Sequence, residues 1–302
     1  MWVALALGAG CLQTVRNALA KSLSGQISPA LNSWSRFAFN LPFSLLLVLA
    51  LDLRGGWPVL PPEFLIGCAV TAVCQLLGNV ALVSAFRRSN FAESIVLHKL
   101  EVVFTALLGA AFFSEAPNAT GWLGVFVCGL GVLAINLGRS GSVEGWRRAF
   151  HFDTGAVLAL TCALLLVLAS FALKAANEVF AGANPQVGEG RFVAAAHTLF
   201  HTTWIEVVLL TGWLVTRERG QFAHVPRHWT RMLGIGATGF LGSLGWFWAY
   251  SLTLVAYVKA VGQVEAILAV ALALLVWRER EVWRQLPGVA LVLAGIALVL
   301  LG

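Results

Sequence analysis

Charged residues are scarce in this sequence. Only 11% of the 302 residues are Asp, Glu, Lys or Arg, whereas 59% are hydrophobic, and the mean hydropathy is +0.83. A water-soluble domain is usually about 25% charged, so the composition excludes an ordinary soluble protein. The net charge of +6 does not indicate a nucleic-acid partner, because the basic residues flank apolar stretches instead of forming a soluble patch.

The sequence also lacks the short motifs of common enzymes and pumps. It contains no DxxD, HExxH or GxSxG, no P-loop, no dinucleotide fingerprint and no zinc-ligand spacing. The sequence contains two aspartates, Asp52 and Asp153. Its five cysteines lie in apolar stretches without CxxC spacing, as packing residues do: Cys11, Cys68, Cys74, Cys128 and Cys162. We therefore expect no enzyme activity, no cofactor and no metal.

Long apolar stretches fill most of the chain. Spanning a bilayer takes roughly 20 apolar residues in a helix, and ten stretches qualify: 2–20, 31–51, 64–86, 91–113, 118–138, 154–176, 195–216, 230–252, 255–277 and 284–302. Helices are expected because a lipid-exposed backbone must satisfy its own hydrogen bonds, and the alternating pattern of a membrane barrel is absent. The first stretch has no basic leader or cleavage site, so we expect no cleavable signal peptide.

The last third of each half of the chain repeats the other at an offset of 164 residues. Residues 91–138 align without gaps to residues 255–302. In this register Glu101 pairs with Glu265, Glu115 with Glu279, Gly124 with Gly288 and Gly131 with Gly295. A duplicated unit with an acid at the same depth in each copy is typical of secondary transporters. We assign residues 1–138 and 154–302 to the two repeats and 139–153 to the connecting loop.

The distribution of basic residues predicts that the repeats are inverted. Arg and Lys cluster in the loops after stretches 1, 3, 5, 7 and 9, whereas Arg54 and Arg191 stand on the opposite side. Five stretches per copy is an odd number, so the second copy enters the membrane upside down relative to the first. By the positive-inside rule the basic side is cytoplasmic, which places both termini outside.

Two pairs of segments resemble the drug/metabolite transporter superfamily, EamA type. The resemblance rests on KLEVVFTALLGAAFFSE followed by WLGVFVCGLGV, and on GQVEAILAVALALLVWRE followed by LPGVALVLAGIALVL. It implies an all-α integral membrane protein of ten transmembrane helices in two inverted five-helix repeats. It also implies a central cavity and export of small metabolites by alternating access. Members of the family usually have cytoplasmic termini, the opposite of what the charge distribution predicts.

Glu101 and Glu265 are the main candidates for substrate or proton binding. Each lies ten residues into its stretch, about 15 Å along a helix and so near the membrane midplane. An ionisable group at that depth is costly unless it has a partner or faces a watery cavity. A carboxyl group there could exchange protons during transport. The alternative is a permanent internal ion pair with Arg16 or Arg36.

Four further polar residues surround the two acids in sequence. His98 lies one helical turn before Glu101 and is a candidate proton relay or hydrogen-bond partner, whereas Lys99 points to another side of the helix and towards a different neighbour. Lys259 and Gln263 are four residues apart and suit a carboxylate or phosphate of a ligand. The alternative for Lys259 is a side chain that reaches the membrane interface.

Other polar side chains predict a cavity lining. Gln13, Arg16 and Asn17 form a stripe on the first helix, and Arg36 belongs to a similar stripe on the second. The second copy carries His197 and His201, four residues apart, which we expect to line a cavity or join a polar network; two histidines without a third ligand do not indicate a metal site. Trp246 and Tyr250 complete the predicted lining. Glu115 and Glu279 are expected to be turn residues.

The sequence thus predicts a secondary transporter that exports small metabolites, such as amino acids or related amphipathic compounds. Protons, membrane lipids and the small-molecule substrate are the expected partners, and we expect a monomer in the bacterial inner (plasma) membrane. A lipid or lipid-linked sugar flippase is the first alternative, because Arg16, Arg36 and Lys259 would suit a basic cavity. An integral-membrane enzyme is the second.

Overall fold

The chain is helical throughout its described residues, which contain no β-strand. The computed structural model describes residues 1–23, 25–88, 97–140, 154–186, 190–275 and 280–302. Twelve α-helices lie in these ranges: α1 (Trp2–Leu23), α2 (Pro29–Ala38), α3 (Leu41–Gly55), α4 (Pro62–Arg88), α5 (Glu101–Phe112), α6 (Ala119–Ser140), α7 (Thr154–Ala183), α8 (Gly190–Arg217), α9 (Val225–Tyr250), α10 (Val255–Gly262), α11 (Val264–Leu275) and α12 (Leu286–Leu301). The 3-10 helices Arg219–His224 and Arg280–Gln285 precede α9 and α12.

Eight described segments are long and apolar enough to cross a membrane. The remaining two predicted spans correspond to α5, whose preceding residues 89–96 lie outside the described part, and to α10 with α11. The predicted fold class is confirmed: an all-α integral membrane protein of ten transmembrane helices in two inverted repeats.

Within the described residues, three predicted spans are interrupted helices instead of the continuous ones that their hydropathy suggests. The span 91–113 has a turn at Leu100, between the helical residues 97–99 and α5. The stretch 31–51 divides into α2 and α3 at Phe39 and Asn40. Pro42 stands in the first turn of α3, where its missing N–H costs no hydrogen bond within the helix, whereas a continuous helix would lose one there. The stretch 255–277 divides into α10 and α11 at Gln263. Hydropathy does not reveal these interruptions, because apolar residues continue on both sides of each turn.

The predicted connector 177–194 is also shorter than expected. Helix α7 continues to Ala183 and α8 begins at Gly190, so the polar residues between the two apolar stretches extend the helices. Just after α7, Asn184 holds the loop between α3 and α4: it accepts a hydrogen bond from the Val59 backbone N–H at 2.7 Å and donates one to the Val59 carbonyl at 2.9 Å.

The helices form two compact units, and each unit draws on both halves of the sequence. Unit 1 comprises Met1–Val73 and Ala172–Leu252, and unit 2 comprises Cys74–Phe171 and Thr253–Gly302. In unit 1, α1 packs against α9: a Cβ on Gly245 would lie 3.2 Å from the Cβ of Ala9, and one on Gly234 would lie 3.2 Å from Leu19. The two helices are therefore antiparallel.

In unit 2, the glycines shared by the two repeats allow α6 and α12 to touch. A Cβ on Gly124 would lie 2.7 Å from the backbone nitrogen of Val299, and a Cβ on Gly131 would lie 2.5 Å from that of Val292. These helices are the last of each repeat. Along their contact, residue numbers increase in α6 where they decrease in α12, so the two helices are antiparallel. Equivalent helices of the two copies thus run in opposite directions, as inversion requires.

Candidate functional site

Glu101 and Glu265 both stand in the first turn of a helix that follows a tight turn. At Leu100 the backbone N–H bonds to the carbonyl of Leu97 at 3.2 Å, and α5 begins at Glu101. At Gln263 the N–H bonds to the carbonyl of Ala260 at 3.1 Å, and α11 begins one residue later. Short 3-10 turns of this kind often mark hinges.

The two acids are paired with lysines across the repeats. Lys259, in α10, donates a hydrogen bond from Nζ to Glu101 Oε1 at 2.6 Å. Lys99, just before α5, contacts Glu265 Oε1 with its Nζ. The first repeat therefore supplies the acid of one pair and the cation of the other. Lys259 is 5% exposed and Glu101 21%, so this pair is largely withdrawn from solvent.

These contacts decide between the alternatives for the lysines. Lys259 is buried against Glu101, so the interpretation of a side chain reaching the interface is wrong. The alternative for Glu101 was an ion pair with Arg16 or Arg36. In the structure, Lys259 is the cation that contacts Glu101. The expectation that Lys99 turns away from Glu101 to another helix is met by its contact with α11.

His98 and Gln263 extend the cluster. His98 Nε2 lies 4.0 Å from Glu101 Oε2, and its Nδ1 lies 3.5 Å from the sulfur of Cys162 on α7. Gln263 donates from Nε2 to the backbone carbonyl of Lys259 at 3.2 Å. Its Oε1 is buried and has no hydrogen-bond partner in the described structure, so one acceptor in the turn between α10 and α11 remains available.

Helix α10, which carries Lys259, is fixed at its start by Glu115. All eight residues of α10 are buried, and Leu254 before it provides no side-chain cap. Glu115 Oε2 accepts a hydrogen bond from the Val255 backbone N–H at 2.8 Å. Glu115 lies in a turn, as expected, but its side chain is buried. Sequence reasoning missed its capping role, which only the repeated Glu–Glu register hinted at. Its counterpart Glu279 lies outside the described residues.

Unit 1 contains a second polar region around α1 and α9. Gln13 Oε1 accepts a hydrogen bond from Trp246 Nε1 at 3.2 Å, and Trp246 stacks on Tyr250 with ring centroids 6.2 Å apart. Arg16 donates from Nη2 to Asn17 Oδ1 at 3.0 Å. The predicted lining residues of the first helix and of α9 thus join one another through direct contacts.

Helix α8 brings two further polar contacts into unit 1. His197 Nε2 lies 3.0 Å from Asp52 Oδ1 on α3, and His197 stacks on Phe180 with centroids 4.6 Å apart. His201 accepts a hydrogen bond from Trp204 at 3.2 Å. The described residues contain no group of three or more His, Cys, Asp or Glu that could hold a metal ion. The histidines therefore take part in a polar network in the structure.

Glu206 is a buried acid of α8. It lies two turns beyond Thr198 on α8 and is 2% exposed. Arg36 of α2 is close enough to interact with it electrostatically. No single-sequence pattern distinguishes Glu206, because it has no counterpart in the aligned part of the repeat.

The geometry of unit 2 is suited to exchange of ionic partners. Two acids, two lysines and a histidine converge where two helices are interrupted, and each acid is held by a cation from the other repeat. A proton on either carboxyl group would weaken its pair, and so would a competing charged ligand. This arrangement can bind, orient and exchange charge; among the described residues it does not form a nucleophile–base–acid triad.

Comparison with known proteins identifies the family. The EamA-like transporter family model matches the chain twice, over residues 1–137 and 153–301. No curated protein matches the chain. A solved crystal structure is similar to this chain with a TM-score of 0.68 at 17% sequence identity, over 99% of this chain and 97% of the other, which supports the fold. The chain therefore belongs to the EamA-like transporter family and is a membrane transporter of the drug/metabolite type.

Proposed function

We propose that this transporter exports small amphipathic metabolites, such as amino acids or related compounds, by alternating access coupled to protons. The observation that carries the proposal is the crossed pairing of Lys259 with Glu101 and of Lys99 with Glu265. In such folds, binding sites lie near the midplane at interrupted helices. We place the protein in the bacterial plasma membrane and assign its repeats to residues 1–138 and 154–302.

Proton coupling follows from the effect of protonation on the pairs. A neutral Glu101 no longer attracts the Lys259 ammonium, and a neutral Glu265 no longer attracts Lys99. Because α5, α10 and α11 all carry members of the pairs, loss of one pair frees these helices to change their mutual position. Glu101 and Glu265 would carry the proton, and His98 would relay it.

A substrate with both charge signs suits this mechanism. Its ammonium group would compete with the lysines for the carboxylates, and its carboxylate would compete with the acids for the lysines. Since the pairs are largely withdrawn from solvent, a ligand must replace them with interactions of equal quality. This requirement favours amino-acid-like compounds over neutral ones.

The proposal is tested by comparing the metabolites released by cells that produce the wild type, Glu101→Gln or Glu265→Gln. We expect one or more amino-acid-like compounds to accumulate outside wild-type cells and not outside cells with either variant. Glu63→Gln is the control, because Glu63 is an exposed acid in the first turn of α4. Release of a lipid-linked compound instead would favour the flippase, and unchanged release from both variants would contradict the role of the acids.

A further inference from the structure

Arg36 and Glu206 of unit 1 are opposite charges that do not satisfy each other. Glu206 is 2% exposed, and its Oε1 has no hydrogen-bond partner among the described residues. The half-buried Arg36 lies within electrostatic range of Glu206. Its guanidinium lies 5.0 Å from the centroid of the Phe37 ring and donates no hydrogen bond within the described part of the chain. The two side chains form no salt bridge there.

This arrangement differs from the pairs of unit 2. There each lysine directly contacts its acid, and the cost of removing the charges from water is offset by that contact. In unit 1 an acid and a guanidinium with five donors lie within electrostatic range of each other without a hydrogen bond between them in the described structure. Buried polar groups in native proteins almost always have partners, so an unpaired group of this kind calls for a partner beyond those that the described residues supply.

The side chains of two arginines pack beside Gly239 of α9. Arg36 lies just before the interruption between α2 and α3, and Gly239 of α9 stands beside it. A Cβ on Gly239 would lie 3.5 Å from Cγ of Arg36 and 3.7 Å from Cδ of Arg16, so two arginine stems converge at this glycine. Trp34 Nε1 and Thr211 Oγ1, 2.8 Å apart, hold α2 against α8. Arg36 and Glu206 therefore sit on helices that are already fixed to each other.

We propose that Arg36 and Glu206 form a ligand site within unit 1 that takes a zwitterion, with the ligand's carboxylate on Arg36 and its ammonium on Glu206. The planar guanidinium matches a carboxylate with two parallel hydrogen bonds, and a buried carboxylate is the natural partner of an ammonium group. The inference rests on the proposed function for the identity of the ligand, an α-amino-acid-like compound. It assigns Glu206 a role that neither the repeat nor the family motifs indicate.

The test measures binding to the purified full-length protein in detergent with three probes of the same shape. L-phenylalanine carries both charges, phenethylamine lacks the carboxylate, and 3-phenylpropionate lacks the ammonium. We expect the wild type to bind L-phenylalanine, or another standard L-amino acid in a parallel screen, more tightly than either single-charge analogue. Arg36→Gln and Glu206→Gln should each weaken zwitterion binding by about 10- to 100-fold, the loss expected for one charge-assisted hydrogen bond.

The decisive readout is which probe loses affinity in which variant. Glu206→Gln should leave binding of 3-phenylpropionate unchanged, because that probe has no ammonium to lose, and Arg36→Gln should leave binding of phenethylamine unchanged. A merely structural role would weaken all probes alike. Arg54→Gln and Glu178→Gln, which remove exposed charges from α3 and α7, are the matched controls.

A second measurement needs no variant and so does not depend on folding. Phenylglyoxal modifies accessible arginines, and the peptide that contains Arg36 can be followed by mass spectrometry. We expect L-phenylalanine to protect Arg36 and phenethylamine not to protect it. Failure of every standard amino acid to bind or protect would overturn the inference. If binding depends on Arg36 and Glu206 but the wild type transports no zwitterion, the site is supported and the proposed function is refuted. If the wild type transports a zwitterion but binding does not depend on Arg36 and Glu206, the proposed function is supported and the site is refuted.

Discussion

Lys259 of the second repeat bonds to Glu101 of the first at 2.6 Å, so one helix interruption is held to the other through an ion pair. Lys99 and Glu265 make the reciprocal contact. The turn at Leu100 separates Lys99 from Glu101, and the turn at Gln263 separates Lys259 from Glu265, so movement at either turn changes both pairs. This coupling between local backbone geometry and charge is the structural basis of the transport mechanism that we propose.

Removing one member of the first pair should destabilise the protein more than removing both. Lys259→Met leaves Glu101 without its cation, and an uncompensated buried charge typically costs about 3–5 kcal/mol. We expect the double variant Lys259→Met with Glu101→Gln to recover most of the lost stability, because neither charge remains. Thermal unfolding in detergent measures both effects, and a double variant less stable than Lys259→Met alone would contradict the pairing.

Glu115 should act as the N-terminal cap of α10. Glu115→Ala removes the acceptor of the Val255 N–H, and loss of a helix cap costs about 0.5–2 kcal/mol. Glu115→Gln keeps an acceptor oxygen and should cost less. Hydrogen exchange of residues 255–262 provides the measurement: the Ala variant should exchange faster there, and the Gln variant should stay near the wild type.

The control for this prediction is Glu63→Ala, which removes an exposed acid from the first turn of α4. It should leave exchange in α10 unchanged. Equal exchange in wild type and Glu115→Ala would show that the bond from Val255 to Glu115 does not hold α10.

The glycines between α6 and α12 should not tolerate a methyl group. A Cβ on Gly131 would lie 2.5 Å from the backbone nitrogen of Val292, a contact that requires the helices to separate. We expect Gly131→Ala to lower the free energy of unfolding by about 1–3 kcal/mol, as overpacking does. Gly212→Ala is the control, since no atom lies within 4 Å of its added Cβ, and it should stabilise α8 by about 0.5–1 kcal/mol. Equal unfolding temperatures for the two variants would refute the close approach.

The orientation in the membrane is a separate prediction from the charge distribution. The positive-inside rule places the loops after stretches 1, 3, 5, 7 and 9 in the cytoplasm and both termini outside. We therefore expect activity from a reporter enzyme that is fused after Gly302 and works only outside the cytoplasm. Activity of a cytoplasmic reporter at the same position would reverse the orientation and leave the fold unchanged.

The sequence was sufficient to predict the fold, and it singled out the two acids that the structure places beside lysines. Helical membrane spans follow from apolar length, and Glu101 and Glu265 stand out because an acid in a lipid environment is costly and recurs at the same repeat position. The interruption at Gln263 could not be predicted in this way, since a single tight turn leaves the hydropathy of the segment unchanged.

The partners of the acids could not be predicted from the sequence for a different reason. Lys259 and Glu101 are 158 positions apart in the sequence. A lysine near a helix end can reach the membrane interface or be buried against a neighbouring helix, and the sequence does not say which helix is its neighbour. Glu206 was indistinct because its significance lies in a missing bond. Absent contacts leave no pattern along a chain.

Our central proposal is that protonation of Glu101 and Glu265 drives transport, and proteoliposomes test it most directly. Wild-type protein should move a radiolabelled amino acid identified by the release experiment against its gradient when a pH gradient is imposed. Glu265→Gln should lose this pH-driven flux while still exchanging labelled for unlabelled substrate across the membrane. pH-driven accumulation by Glu265→Gln and Glu101→Gln at the wild-type rate would contradict the account.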